Sequence, residues 1–303
     1  MPGEPWHYRN LTDIAAAIGR GEVSSVAVTK AILERVAELD SHYTCYLHLC
    51  SDRALQQAEQ ADAEIAKGIR KGPLHGVPIA VKDLCYTTYA PTTAGTTIHR
   101  GFMAPFDATV VQRLETAGAV MLGKLSMTEG AYTSHHPEVP YPPNPWNAGY
   151  WVGSSSTGSG VATALGMCFG SLGSDTGGSI RFPSATCGLT GIKPTWGRVS
   201  RHGVFALADS LDHVGPMCRS AADCAAILQA IAGWDANDPT SIDAPVPDRP
   251  VLFVCNHGFG GVIDLNVGAF VAARQAAGVT RPTTAMVHQI AWTLGAGPLV
   301  ERL

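Results

Sequence analysis

The chain has 303 residues, of which 46% are hydrophobic and 15% are charged, with a formal net charge of −4. This composition is typical of a globular protein with a substantial core, and its charge disfavours a nucleic-acid partner. Apolar runs are too short for a membrane span, and the N-terminus lacks a secretory signal. The eight cysteines form no CxxC pair. We therefore expect reduced thiols in a soluble, cytoplasmic protein without a zinc site.

Helix and strand patterns alternate along the chain. Apolar residues at helical spacing predict helices at 13–18, 25–39, 51–70, 108–117, 159–169 and 220–233, the second of them capped by Ser25. Short apolar runs bounded by turn residues predict buried strands at 76–82 and 119–122. Residues 134–146 are proline-rich, which indicates an ordered surface loop. The alternation predicts an α/β layered fold.

A second proline-rich stretch lies at 236–250, with four prolines in fifteen residues. Such a change in composition is typical of a domain boundary. The sequence therefore predicts two regions, 1–240 and 241–303.

The segment Gly173-Ser-Asp-Thr-Gly-Gly-Ser-Ile-Arg181 places a serine after two glycines. Glycine lets the backbone approach a substrate closely, and outward N–H groups there form an oxyanion hole beside a nucleophile. A serine hydroxyl needs a nearby base, yet the chain has no G-x-S-x-G elbow and no histidine at a familiar spacing. A neutral lysine is the alternative. Lys82 ends a predicted buried strand, where burial lowers a lysine pKa, and Asp83 should point to the opposite face.

Four stretches resemble the amidase signature hydrolases: GVPIAVKD, GSSSTGSGVATA, GSDTGGSIRFPSATCGLTGIKPTWGRVS and SLDHVGPM. The resemblance covers about residues 10–240. It implies an amidase-signature α/β/α layered fold around a mixed central sheet. Members of that family are much longer, so the resemblance also implies a C-terminally truncated version of the fold.

In this family a Ser-cisSer-Lys triad hydrolyses amide or ester bonds through an acyl-enzyme. The resemblance assigns the base to Lys82, the bridging serine with a cis peptide bond to Ser155, and the nucleophile to Ser179. It assigns the oxyanion hole to four backbone amides, those of Thr176, Gly177, Gly178 and Ser179. The stretch GSSSTGSG has the composition of a flexible linker, but the resemblance makes it a catalytic loop. It implies no metal and no organic cofactor.

Other polar residues near these motifs have simpler interpretations. Asp175 and Arg181 flank the nucleophile, and we expect a structural ion pair that holds the loop. His135 and His136 lie in the proline-rich loop, where a solvated pair is favoured over contact with substrate.

The last region differs from the rest. Its segment RPVLFVCNHGFGGVIDLNVGAFVAARQAAGVTRP faintly resembles the opening block of glycerolipid acyltransferases, with His257 and Asp264 as the motif residues. Six residues separate them where that motif has four. An ordinary strand, loop and helix is an equal interpretation.

The resemblance favours an amidase that converts a small-molecule carboxylic amide to an acid and an amine or ammonia. Three alternatives remain: the glutamine-hydrolysing subunit of an aminoacyl-tRNA amidotransferase, an inactive truncated or fusion fragment, and, from the tail alone, a lipid acyltransferase. An incomplete sheet would leave an open edge, which makes a homo-oligomer a further expectation.

Overall fold

The computed structural model describes residues 5–244 of the chain. Seven α-helices lie within this part: α1 (Leu11–Gly19), α2 (Ser25–Tyr43), α3 (Ser51–Ala66), α4 (Thr109–Thr116), α5 (Thr157–Ala164), α6 (Arg181–Cys187) and α7 (Ala221–Ile231). Six strands accompany them: β1 (Tyr46–Leu49), β2 (Pro78–Lys82), β3 (Val120–Leu125), β4 (Gly170–Asp175), β5 (Thr190–Gly191) and β6 (His213–Cys218).

The strands form one mixed sheet in the order β1-β3-β2-β4-β6-β5. Strand β2 runs parallel to both of its neighbours, β3 and β4, whereas the other three pairings are antiparallel. The predicted fold class, α/β with a mixed central sheet, is therefore confirmed for this part of the chain. Because β2 and β4 are parallel, their final residues, Lys82 and Asp175, lie toward the same edge of the sheet, where ligands usually bind in open α/β sheets.

The centre of the sheet is fully covered. Every residue of β2, β3 and β4 is buried. Helices α2 and α3 pack on each other, α5 and α6 form a second contacting pair, and α7 contacts β6 together with α1 and α4. Strand β4 has the small-residue sequence GSLGSD, and a Cβ on Gly170 would lie 2.7 Å from the Ile227 side chain. The sequence analysis did not predict this strand, because its residues lack the branched and aromatic side chains typical of strands.

Several predicted boundaries need correction. The side chain of Ser24, and not that of Ser25, caps α2 by accepting a hydrogen bond from the Ala27 amide. Ser25 is buried instead, and its hydroxyl donates to the Gly76 carbonyl at 2.7 Å. The third predicted helix ends at residue 66 rather than 70. Helix α5 is shifted toward the N-terminus relative to its predicted range of 159–169, because Gly166 adopts a positive φ of 72°.

No helix between residues 5 and 244 combines the length and the hydropathy needed to cross a membrane. The predicted boundary at 240 falls close to the end of the described residues, and the division into two regions stays a prediction. His257 and Asp264 lie outside the described residues.

Candidate active site

Lys82 is the last residue of β2, and its side chain is fully buried. Its Nζ lies 2.6 Å from Ser155 Oγ and 2.8 Å from Ser174 Oγ. Burial of the amine lowers the pKa of Lys82 from its usual value of 10.5 to about 7, because an ammonium ion loses hydration in the protein interior. A large share of this lysine is therefore neutral near pH 7 and can accept a proton.

The loop before α5 carries Ser155 to this amine. The peptide bond between Ser154 and Ser155 is cis, and Ser155 is fully buried. Gly153 has a φ of 84°, and a Cβ there would meet the Pro183 backbone nitrogen at 2.5 Å. Only glycine fits this close approach between the loop and α6. The Thr128 amide donates to the Ser155 carbonyl at 3.2 Å, which further fixes the loop.

Ser179 lies in the turn between β4 and α6 and is partly exposed. Its carbonyl accepts a hydrogen bond from the Ser156 amide at 3.3 Å, so that the backbones of the two serine-bearing segments touch. Gly178, just before it, has a φ of 131°, and a Cβ there would clash with the Phe182 ring at 2.2 Å. The fold thus brings the segments that carry Lys82, Ser155 and Ser179 together.

The predicted oxyanion hole consists of the four backbone amides at 176–179. The Gly178 amide donates to Asp175 Oδ1 at 2.8 Å and is therefore directed at that carboxylate. This contact removes Gly178 from the group of amides that are free to meet a substrate oxygen in this conformation. The amides of Thr176, Gly177 and Ser179 stay as predictions.

Asp175 and Arg181 form a two-pronged ion pair across the same turn. Arg181 Nε lies 2.9 Å from Asp175 Oδ2, and Arg181 Nη2 lies 2.9 Å from Asp175 Oδ1. Burial of the Asp175 carboxyl opposes its ionisation, but the Arg181 hydrogen bonds and charge outweigh it and lower the Asp175 pKa. The amides of Gly178 and Ile180 donate to the same carboxylate. The pair anchors the turn that presents Ser179.

Two further serines at the site were missed by the sequence analysis. Ser174 supplies the second hydroxyl beside Lys82. Ser156 is buried, and its hydroxyl donates to the Ser174 carbonyl at 3.2 Å. Ser174 lies in β4 and directly precedes the Asp-Thr-Gly-Gly-Ser stretch, so its place beside that motif was the available signal.

Asp83 points away from Lys82, as the alternation of strand residues predicts. Its carboxylate lies 3.0 Å from Nζ of Lys124, a second fully buried lysine, in β3. Asp83 also accepts a hydrogen bond from the Thr93 amide at 2.9 Å. The sequence analysis gave no partner for Asp83 and no role for Lys124.

A cavity of about 410 Å³ adjoins the site. Ser174 and Thr176 line one side, and residues 201–207 with Asp212 and His213 line the other. Asp212 is held in place, since Thr176 Oγ1 donates to it at 2.5 Å and the Leu207 amide at 2.8 Å. The cavity therefore reaches the serine-lysine cluster at Ser174, whereas Ser155 and Ser179 are not part of its lining.

His135 differs from the predicted solvated pair. It is half-buried and stacks on Tyr141 with ring centroids 4.6 Å apart. Burial lowers its pKa to about 4, so the ring is neutral near pH 7. Within residues 5–244, no three His, Cys, Asp or Glu side chains are grouped as ligands for a metal ion.

Comparison with known families gives one match over most of the chain: the model of the family described as Amidase covers residues 27–256. The chain is 58% identical over 238 residues to the putative amidase AmiD of Mycobacterium tuberculosis (strain ATCC 25618 / H37Rv), covering 78% of this chain and 50% of that protein. It is 48% identical over 240 residues to a glutamyl-tRNA(Gln) amidotransferase subunit of Anaeromyxobacter dehalogenans (strain 2CP-C), covering 78% and 49%.

Solved structures share the fold. The native peptide amidase of Stenotrophomonas maltophilia superposes with a TM-score of 0.76 at 38% identity, covering 82% of this chain and 52% of that one. The corresponding glutamyl-tRNA(Gln) amidotransferase subunit of Thermotoga maritima has a TM-score of 0.67 at 32% identity, covering 80% and 50%. The present chain therefore spans about half the length of the relatives that it matches.

Proposed function

Because this chain belongs to the amidase family, we propose that it carries the catalytic apparatus of an amidase that cleaves the C–N bond of a small carboxylic amide. The contact between Lys82 Nζ and Ser155 Oγ carries this proposal. A fully buried lysine with a pKa of about 7 is a competent base only if it contacts groups that can exchange protons with it. Two hydroxyls provide that contact.

In the proposed reaction, Ser179 Oγ attacks the carbonyl carbon of the amide. The Ser179 proton passes to Ser155, while Ser155 gives its own proton to neutral Lys82. The resulting oxyanion accepts hydrogen bonds from the backbone amides of Thr176, Gly177 and Ser179, while the Gly178 amide holds Asp175.

Collapse of the tetrahedral intermediate breaks the C–N bond. The proton on Lys82 returns through Ser155 to the leaving nitrogen, and Ser179 is left as an ester. Water then attacks this ester, activated by the same relay, and releases the acid. Neither half-reaction uses a metal ion or an organic cofactor.

The size of the adjoining cavity, about 410 Å³, supports a small amide as substrate. An amidase is favoured over an amidotransferase subunit by sequence identity, which is higher to AmiD than to the amidotransferase relative.

Glutamine is a second candidate substrate. The 48% identity to a component of a glutamyl-tRNA(Gln) amidotransferase supports a role in releasing ammonia from glutamine for a partner protein. Ammonia release from L-glutamine, measured beside release from a panel of simple carboxamides, separates the two. If glutamine is the one amide of the panel that is cleaved, and if cleavage requires added partner subunits, the result would favour the amidotransferase.

The decisive experiment is labelling of the chain with a fluorophosphonate, which reacts with activated serines. We expect labelling of the native chain and loss of labelling in Ser179→Ala and in Lys82→Ala. Ser41→Ala is a suitable control, because Ser41 is an exposed residue of α2. If a folded native chain, verified by circular dichroism, does not react with the probe, the proposal is wrong and the inactive-fragment alternative stands.

A further inference from the structure

Two buried carboxylates, at the ends of β2 and β4, each have a cation of their own. Asp175 is paired with Arg181 at 2.9 Å, and Asp83 is paired with Lys124 at 3.0 Å. Lys82 itself is bound by hydroxyl groups alone among the hydrogen bonds described for its Nζ.

Asp83 directly follows Lys82 in the chain and lies on the other side of the strand. Its side chain is fully buried, and so is that of Lys124. Two unit charges in the protein interior interact more strongly than they do in water at the same separation. An uncompensated Asp83 would therefore stabilise the ammonium form of Lys82.

The sheet places the compensating cation. In the parallel register of β2 and β3, Lys124 lies opposite Val81, and the Asp83 amide continues the ladder by donating to the Leu125 carbonyl at 3.0 Å. Val81 and Asp83 share one side of the strand, and Lys82 occupies the other. Lys124 Nζ also donates to Thr92 Oγ1 at 2.8 Å, which holds the cation beside Asp83.

We propose, on the basis of the proposed function, that Lys124 is a positioning residue for the base. By pairing with Asp83 it withholds that carboxylate from Lys82 and so keeps Lys82 able to accept a proton. Lys124 touches neither substrate nor nucleophile in this role. It acts through the charge of Asp83.

Other ionisable groups among residues 5–244 also lie near Lys82. Cys85, after β2, is a neutral thiol because burial raises its pKa to about 12. Asp175 in β4 is paired with Arg181, and Asp212, before β6, is bound by a hydroxyl and two amides. On the side of the Asp83–Lys124 pair lies His48 of β1, whose pKa is lowered by burial.

Direct titration of Lys82 tests the inference. The chain contains six lysines, so the ¹³Cε resonances of labelled lysine form a short spectrum, and Lys82→Ala assigns the resonance of interest. Three variants are compared with the native chain: Lys124→Met, Asp83→Asn, and the double variant with both changes.

The expected shifts have opposite signs. Lys124→Met leaves Asp83 uncompensated and raises the Lys82 pKa by about one unit or more, whereas Asp83→Asn leaves Lys124 uncompensated and lowers it by about one unit. The double variant removes both charges and returns the Lys82 pKa to within about half a unit of the native value. If the Asp83–Lys124 pair only stabilised the fold, the two single variants would not shift the Lys82 pKa in opposite directions.

An unchanged Lys82 pKa in the single variants would overturn the inference. If Lys124→Met does not fold, Asp83→Asn and the double variant still decide the question. The titration needs no catalysis, so the outcome is separate from that of the labelling experiment. If the chain reacts with the fluorophosphonate, the pH at which the labelling rate is half of its plateau value should shift with the Lys82 pKa in each variant.

Discussion

Lys82 and Lys124 lie on neighbouring parallel strands, and both are fully buried. The nitrogen of Lys82 contacts the hydroxyls of Ser155 and Ser174, whereas the nitrogen of Lys124 contacts the carboxylate of Asp83. A hydroxyl can donate to a neutral amine or accept from an ammonium ion, but a carboxylate favours the ammonium form. Burial alone therefore does not make a lysine a base. The groups that contact the amine determine whether its neutral or its charged form is favoured.

The comparison also explains why the sheet tolerates two buried amines. An unpaired buried charge is costly in free energy, so it is either neutralised by proton loss or paired. Burial lowers the pKa of Lys82, which favours its neutral form. Lys124 is instead paired with Asp83. Removal of Lys82 and removal of Lys124 should therefore have different consequences.

Lys82→Ala should lower the rate of serine labelling at least about a thousandfold, because general-base assistance of serine is lost with the amine. The rate is measured with a fluorophosphonate at pH 8. Lys30→Ala is the control, since Lys30 is exposed on α2, and its rate should equal that of the native chain. A Lys82→Ala chain that labels at the native rate would show that another group is the base.

Arg181→Met should destabilise the fold by about 3–5 kcal/mol, because the fully buried Asp175 carboxylate then has no cation. Urea unfolding measures this loss. The matched control is Arg100→Met, which removes an ion pair with Glu138 whose side chains are both 69% exposed. That change should cost less than about 1 kcal/mol. Equal losses in the two variants would contradict the structural role of the Asp175–Arg181 pair.

The labelling rate of the native chain should rise with pH and level off above pH 8. Burial lowers the Lys82 pKa to about 7, and the neutral form is the active one. Protonation of Lys82 below that pKa removes the base, so the labelling rate falls as the pH falls. At pH 5 the rate should be about a hundredth of the plateau. A rate that is flat from pH 5 to 9 would mean that Lys82 does not titrate in the reaction.

Much of this site can be read from the sequence, because its motifs are contiguous. The stretch GVPIAVKD predicts a buried strand that ends at Lys82, and the structure has that strand. Asp175 and Arg181, which form an ion pair, are only six positions apart and flank a glycine turn. Local patterns of this kind depend on few distant residues, so the sequence indicates them well.

The remaining features depend on residues that meet only in the folded chain. Lys124 meets Asp83 because β3 lies beside β2, and no local pattern encodes that pairing. The sequence places the cap of α2 one residue late because Ser24 and Ser25 are both good caps, and burial of Ser25 under Gly76 decides between them. Strand β4 was not predicted because its residues are small, as close packing requires, and lack the side chains that give a high strand propensity.

The smallest expected effect separates two serines of the same buried strand. Ser174 contacts Lys82, whereas Ser171 donates to the Ser159 carbonyl at 3.0 Å. Ser174→Ala loses one buried hydrogen bond and should lose about 1 kcal/mol of stability in urea unfolding. Ser171→Ala loses two, the second of them with Thr163 Oγ1 at 2.9 Å, and should lose about 2 kcal/mol. Only Ser174→Ala should also slow serine labelling, by about three- to tenfold, because the Lys82 amine is then held by Ser155 alone. Equal labelling rates in the two variants would restrict Ser174 to a packing role and leave Ser155 as the one hydroxyl that orients the base.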